Sequence, residues 1–218
     1  MKNNIKLNLL QLHQLGNRLM DKFGMHAPKF LVGVAGHVLF WPIAVSQYSM
    51  YRLGYLDWYS LVFPFPSDIP LVQDPDVKQM YPGRVLLGAL PWPAATRVHL
   101  LRKENVSAVL NLVSEKKIEF PLIEKRMDLP LTDFLHPRFQ EIQPAVEFLD
   151  ACVKEGRTVY VHCRAGKGRS ATVVMCWLVS RFHLSPEAAQ TYLSRVRPQI
   201  LSTLKDRQVV EEFSKLRQ

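Results

Sequence analysis

The sequence predicts an α/β fold in which a central, largely parallel sheet is flanked by helices. Three observations carry this expectation. From Arg84 onward, short aliphatic or β-branched runs alternate with longer stretches of helical periodicity, the order that builds parallel sheets from crossover units. Thr158-Val159-Tyr160-Val161-His162 is β-branched and aromatic, which marks a buried strand. The stretch from Ser170 to about Phe182 is apolar and free of Gly and Pro, which marks a helix.

Taken in order, residues 1–63 form a distinct basic and apolar segment, expected to be helical. Lys2, Lys6, Arg18, Lys22 and Lys29 precede an apolar run from Phe30 to Val45, and Trp41, Tyr48, Tyr51, Tyr55, Trp58 and Tyr59 accompany or follow it. The run is shorter than the roughly 20 apolar residues that span a bilayer, and His37 and Pro42 interrupt it. Basic residues before it and aromatic residues after it suit a helix lying in or partly through a membrane interface, and a helical appendage packed on the remainder of the chain is the alternative. Residues 64–82 are proline-rich and read as an ordered, irregular linker. The remainder, 83–218, carries the alternation. Val85-Leu86-Leu87 is a short strand, a helix follows Pro93, and Val106 to Leu112 and Arg126 to Leu129 are further strands. Phe139 to Val153 is an amphipathic helix with Ile142, Val146 and Leu149 on one face. Ser185-Pro186-Glu187 supplies an N-cap and a first-turn proline for the next helix, and a last helix covers about Leu204 to Leu216.

The chemistry concentrates in His162-Cys163-Arg164-Ala165-Gly166-Lys167-Gly168-Arg169-Ser170. This loop leaves the carboxyl end of a strand and enters the amino end of a helix, where backbone N–H groups lack intrahelical partners and favour an anion. Gly166 and Gly168 let the amides from Arg164 through Ala165, Gly166, Lys167 and Gly168 to Arg169 turn around an oxyanion, and the Arg169 guanidinium matches two of its oxygens. Cys163 sits in the same field, which can lower a thiol pKa to roughly 3.5–7.5. A cysteine and an arginine in this arrangement point to nucleophilic attack on phosphorus through a phosphocysteine. An acid must then protonate the leaving oxygen. Asp133, in Leu131-Thr132-Asp133-Phe134-Leu135-His136-Pro137, is the candidate, with Asp128 its competitor inside a strand. His162 is expected to tune Cys163 through backbone contacts, and Arg197 reads better as a solvated helix end than as a brace for the site.

The loop resembles the His-Cys-x5-Arg-Ser/Thr signature of the cysteine-dependent protein tyrosine and dual-specificity phosphatases, over roughly Tyr81 to Phe213. Within that superfamily the chain is most similar to the mitochondrial-type phosphatidylglycerophosphate phosphatases. The similar residues are Leu86-Leu87-Gly88-Ala89-Leu90-Pro91, the Cys163 loop, Leu184-Ser185-Pro186-Glu187-Ala188 and, upstream, Asp57-Trp58-Tyr59. Where that subfamily carries an acidic Glu-Glu-Tyr-Glu loop, this chain has Ser114-Glu115-Lys116-Lys117. The resemblance implies a dual-specificity phosphatase-like fold, Asp133 as catalytic acid, and Ser170 as a hydroxyl that hydrogen-bonds the leaving thiolate. It also implies that Arg164 and Lys167, as extra loop cations, favour a substrate with more than one phosphate. Phosphatidylglycerophosphate fits. A protein tyrosine or dual-specificity phosphatase, a phosphoinositide phosphatase, and a phosphate-binding module without turnover are the rival functions.

The net charge of +9 calls for an anionic partner, a phosphorylated lipid or phosphoprotein and a membrane surface. Nucleic acid is not expected, because basic residues do not interleave with aromatics as a stacking platform requires. Three cysteines without metal-ligand spacing suit a reducing compartment, and Cys152 and Cys176 read as core residues, with resolution of oxidised Cys163 as a further option. Seven scattered histidines suggest no metal site, and no cofactor is expected, since the loop is its own cationic clamp. Association with a bacterial or organelle inner membrane is the expected location, with a cytoplasmic one as the alternative. The sequence says nothing of oligomeric state.

Overall fold

The computed structural model describes residues 28–38, 40–66, 75–121 and 123–216. The expectations resting on Lys2, Lys6, Arg18 and Lys22 fall outside them. Two helices come first, α1 (Lys29–Val38) and α2 (Phe40–Arg52), followed by strand β1 (Tyr59–Phe63) and a short helix α3 (Pro75–Met80). Then come β2 (Arg84–Gly88), α4 (Ala94–Lys103), β3 (Ala108–Val113), β4 (Lys125–Leu131), α5 (Phe139–Lys154), β5 (Thr158–His162), α6 (Arg169–Arg181), α7 (Pro186–Val196) and α8 (Gln208–Ser214).

The five strands form one mixed sheet in the order β1-β2-β5-β3-β4. β1 runs antiparallel to β2, and the other neighbours are parallel. The strand that leads into the Cys163 loop therefore sits at the centre, with Gly88 and Asn111 flanking its last residue, His162. Alternate side chains separate the two faces of the sheet, as the period of a strand requires. Val85, Leu87, Leu110, Val159 and Val161 pack with Ile142, Val146 and Leu149 of α5 and with α6, α7 and α8. Leu86, Val109 and Tyr160 face the other way, under Leu100 and Leu101 of α4 and the Ile118–Phe120 stretch.

Three expectations need correction. The helical assignment of residues 1–63 does not extend to Tyr59–Phe63, which forms the antiparallel edge strand. Its Val62 and Phe63 are buried, and Tyr192 donates its hydroxyl to the Val62 carbonyl. The proline-rich stretch holds the helical turn α3. The last helix is broken: Leu204–Asp206 is a 3-10 turn, and Arg207 is extended (ψ 129°) before α8 begins. The break follows from side-chain demand, because Arg207 is buried and donates to the Thr172 hydroxyl in the first turn of α6 at 2.9 Å. The Ser185 cap forms as expected, its oxygen accepting from the Ala188 N–H at 3.1 Å.

The amino-terminal helices pack onto this core through aromatic rings. Tyr51 stacks on Trp58 with ring centroids 4.4 Å apart, and Trp41 and Tyr48 meet Trp92 edge-on. Among the described residues no helix is long and apolar enough to cross a membrane.

Candidate active site

The loop from Cys163 to Gly168 has no regular structure, yet each of its carbonyls has a partner outside it. The Cys163 carbonyl accepts from His162 Nδ1 at 3.2 Å, which places the ring proton there. The Arg164 carbonyl accepts from the Leu90 N–H at 3.0 Å, and that of Ala165 from the Tyr51 hydroxyl at 3.2 Å. The Gly166 carbonyl accepts from Arg197 Nε at 2.8 Å, and that of Lys167 from the Leu201 N–H at 3.1 Å. The Gly168 carbonyl takes both the N–H and the hydroxyl of Thr172. In a trans peptide the carbonyl and the next N–H point in opposite directions. Carbonyls held outward therefore turn the following amides toward the sulfur, and the Gly166 N–H already donates to Cys163 Sγ at 3.2 Å.

Gly166 lies at φ +67°, and a Cβ there would stand 2.4 Å from the Gly88 carbonyl oxygen. Gly88 is equally confined, since a Cβ on it would meet the Tyr160 hydroxyl at 2.1 Å. Tyr160 donates that hydroxyl to the Ala89 carbonyl at 2.6 Å. The loop thus rests directly on the backbone at the end of β2.

Cys163 is buried. Burial pushes its thiol up, but the Arg169 charge, the Ser170 hydroxyl at 3.3 Å and the Ser170 amide together bring it below the ordinary cysteine value, against the opposing charge of Asp133. Arg169 is fixed from several sides: Nη1 donates to the carbonyls of Leu131 (2.8 Å) and Leu112 (3.3 Å) and to Glu115 Oε2 (3.0 Å). Its Nε forms an ion pair with Asp133 Oδ1 at 3.1 Å, and the other carboxylate oxygen of Asp133 pairs with Arg164. His162 is neutral across the physiological range, because burial pushes its pKa down to about 3. Burial, with the charge of Arg197, brings Lys167 down to about 7.

Cys163, Arg169, Ser170 and Asp133 are therefore brought together, and of the loop residues from Arg164 to Arg169 the Gly166 amide donates to the sulfur. Asp128 is elsewhere engaged: Asn111 and Arg126 both donate to its Oδ1 at 2.7 Å. Arg197 is not solvated. It is wholly buried, and its Nη1 donates to the Asp57 carbonyl and the Ser60 hydroxyl while Nε holds Gly166. Glu115 is a site residue that the sequence pattern did not single out, its side chain 2% exposed against an equally buried Arg169. The signal for it was positional: it follows the carboxyl end of β3, beside the strand that carries the cysteine, where sheets of this kind place their functional groups. Cys152 and Cys176 are buried core residues, as expected, and burial pushes both thiols up. Among the described residues no cluster of His, Cys, Asp or Glu could hold a metal ion.

A thiol held below its usual pKa, ringed by inward amides and capped by a fixed guanidinium, defines a cysteine-dependent phosphatase. The chain belongs to the dual specificity phosphatase catalytic domain family, which matches residues 90–215. It is similar to phosphatidylglycerophosphate phosphatase PTPMT2 of Arabidopsis thaliana, 29% identical over 201 residues that cover 88% of this chain and 79% of the relative. It is also 29% identical to the human phosphatidylglycerophosphatase and protein-tyrosine phosphatase 1, over 88% of this chain and 92% of that one. Among solved structures, PTPMT1 in complex with PI(5)P is 26% identical with a TM-score of 0.53, covering 73% of this chain and 96% of that one. The active form of Tk-PTP is 26% identical with a TM-score of 0.54, covering 61% and 92%.

Alkylation by iodoacetate requires the thiolate, so its rate should fall only as pH drops through the depressed value of Cys163. The midpoint is expected below the ordinary value of about 8.5. Ser170→Ala removes one hydrogen bond to the thiolate and should raise the midpoint by about one pH unit; an unchanged midpoint would show that the hydroxyl does not stabilise the sulfur.

Proposed function

We propose that this chain removes the terminal phosphate of phosphatidylglycerophosphate at a membrane surface, leaving phosphatidylglycerol. The observation that carries the lipid reading is the placement of the amino-terminal helices. α2 touches the phosphate loop through Tyr51, while α1 and α2 turn Phe30 (79% exposed), Leu31, Val34, Val38 and Val45 outward. An apolar face of this kind beside a phosphate-binding loop suits a substrate whose head group must be lifted from a bilayer. The names of the plant and human relatives, and a phosphoinositide bound to a structural relative, support the same class of substrate.

In the proposed reaction the substrate phosphoryl oxygens replace the Asp133 carboxylate on Arg169 and accept hydrogen bonds from the loop amides. Cys163 Sγ attacks phosphorus, the P–O bond to the glycerol breaks, and Asp133, which takes up a proton from solvent once the phosphate has displaced it from Arg169, gives that proton to the departing oxygen. Water then attacks the phosphocysteine, Asp133 takes a proton from it, and the P–S bond breaks. The Ser170 hydroxyl receives the thiolate. Arg169 stabilises charge on the equatorial oxygens in both steps, in a buried setting where such interactions are strongest. Glu115 and the Leu112 and Leu131 carbonyls hold that guanidinium in place.

The decisive comparison is kcat/KM on phosphatidylglycerophosphate, phosphoinositides and phosphotyrosine peptides. The lipid is expected to lead; peptides ahead of every lipid by more than about tenfold, roughly 1.4 kcal/mol of transition-state preference, would overturn the assignment. Asp133→Asn should slow hydrolysis of the lipid by about 10²–10⁴-fold and leave activated aryl phosphates much less affected. Equal losses on both would make Asp133 a structural residue. Phe30→Glu/Val34→Glu/Val38→Glu should weaken co-sedimentation with anionic vesicles by at least about tenfold, since each apolar side chain contributes roughly 1.5–3 kcal/mol when buried. Turnover of a soluble aryl phosphate should stay within about twofold, as these residues lie outside the catalytic machinery.

A further inference from the structure

The two extra cations of the phosphate loop are poorly placed to meet a second phosphate. Arg164 is buried and carries Asp133, and Lys167 is buried beside the charge of Arg197. A different set of cations lies next to the loop. A cavity of about 510 Å³ opens between α2, α4 and the segment after β3, walled by Trp41, Trp92, Arg97, Lys116, Lys117 and Glu119. Its volume lies within the usual range for pockets that take small molecules.

Two connections tie this cavity to the catalytic loop. Leu90, on its wall, donates its N–H to the Arg164 carbonyl at 3.0 Å. Lys116 and Lys117 directly follow Glu115, whose carboxylate holds Arg169. Three cations face one carboxylate, Glu119, among the lining residues. Lys116 Nζ lies 4.4 Å from the centre of the Trp41 ring, which fixes an ammonium at the cavity wall. Arg97 is half-buried over Phe120, and its Nε is buried with no hydrogen-bond partner among the described residues.

Resting on the lipid reading above, we infer that this cavity is a second anion subsite, which holds the phosphodiester of the substrate head group while the terminal monoester sits over Cys163. Lys116, Lys117 and Arg97 supply the charge, and Trp41 and Trp92 supply apolar wall for the glycerol carbons. The subsite then selects substrates with two phosphorus centres linked through a short polyol over simple monoesters, and it joins the amino-terminal helix to substrate choice through Trp41.

The test uses short-chain phosphatidylglycerophosphate, dispersed as monomers, and a small aryl phosphate, on the full chain. Lys116→Gln/Lys117→Gln and, separately, Arg97→Gln should each raise KM for the short-chain lipid by about tenfold or more, the usual scale for a lost charge-assisted contact, with kcat within about twofold. Turnover of the aryl phosphate should be unchanged, which also reports an intact fold. Unaltered KM, or equal losses on both substrates, would overturn the subsite. A loss seen only with vesicle-embedded substrate would overturn it too, and would make the lysines membrane contacts. If the wild type shows no preference for the short-chain lipid over the aryl phosphate, the lipid assignment itself fails; if the preference exists and the variants keep it, only the subsite fails.

Discussion

The orientation of one short stretch of backbone governs this molecule. A loop of six peptides could arrange its dipoles in many ways, and most of them would present oxygen as well as nitrogen to an incoming anion. Here every carbonyl from Cys163 to Gly168 is claimed from outside by groups of widely separated origin: His162, Leu90, Tyr51, Arg197, Leu201 and Thr172. The amides are left with only the inward direction. The cost of reorganising dipoles around phosphate is thereby met during folding, which is the condition for electrostatic stabilisation of a transition state. The same arrangement explains why β1, α2 and the segment that follows α7 belong with the site although none carries a reacting group.

Charge within the site is balanced as tightly as direction. Arg169 is buried with Glu115 on one nitrogen and Asp133 on another, and the Cys163 thiol beneath it is held below its ordinary value. A buried guanidinium without such partners would be costly. The two carboxylates have different standing: Glu115 is enclosed, whereas Asp133 is partly open and lies on the loop after β4. One keeps the guanidinium aligned, and the other can give way to an anion of similar shape. Asp133 thus serves the resting site as counter-ion.

Much of this was legible in the sequence because the signals were local. The glycines, the cysteine and the arginine of the phosphate loop lie within seven residues, and the Ser185 cap and its proline within two. The alternation of strand and helix from Arg84 onward needed only side-chain periodicity. What escaped depends on contacts between distant segments. Arg197 looks like a helix-end cation until Asp57 and Ser60 are folded against it. Glu115 looks like a residue of a charged turn until β3 is set beside β5. Tyr59–Phe63 is too short to show a period, and it becomes a strand by pairing with β2. Arg207 interrupts a good helical pattern because its side chain has a partner on α6. In each case a contact between distant segments, a property of the assembled chain, overrode the local pattern.

The contact between Gly166 and Gly88 bears on how this chain can vary over time. Neither position can gain even a methyl group without striking the backbone or the Tyr160 ring. The two sites, far apart in the gene, are therefore each closed to any larger residue. Drift at the end of an ordinary-looking strand is limited by the Tyr160 ring on the neighbouring strand, and an inventory of tolerated substitutions would show an immovable spot where the chemistry alone gives no reason to look for one.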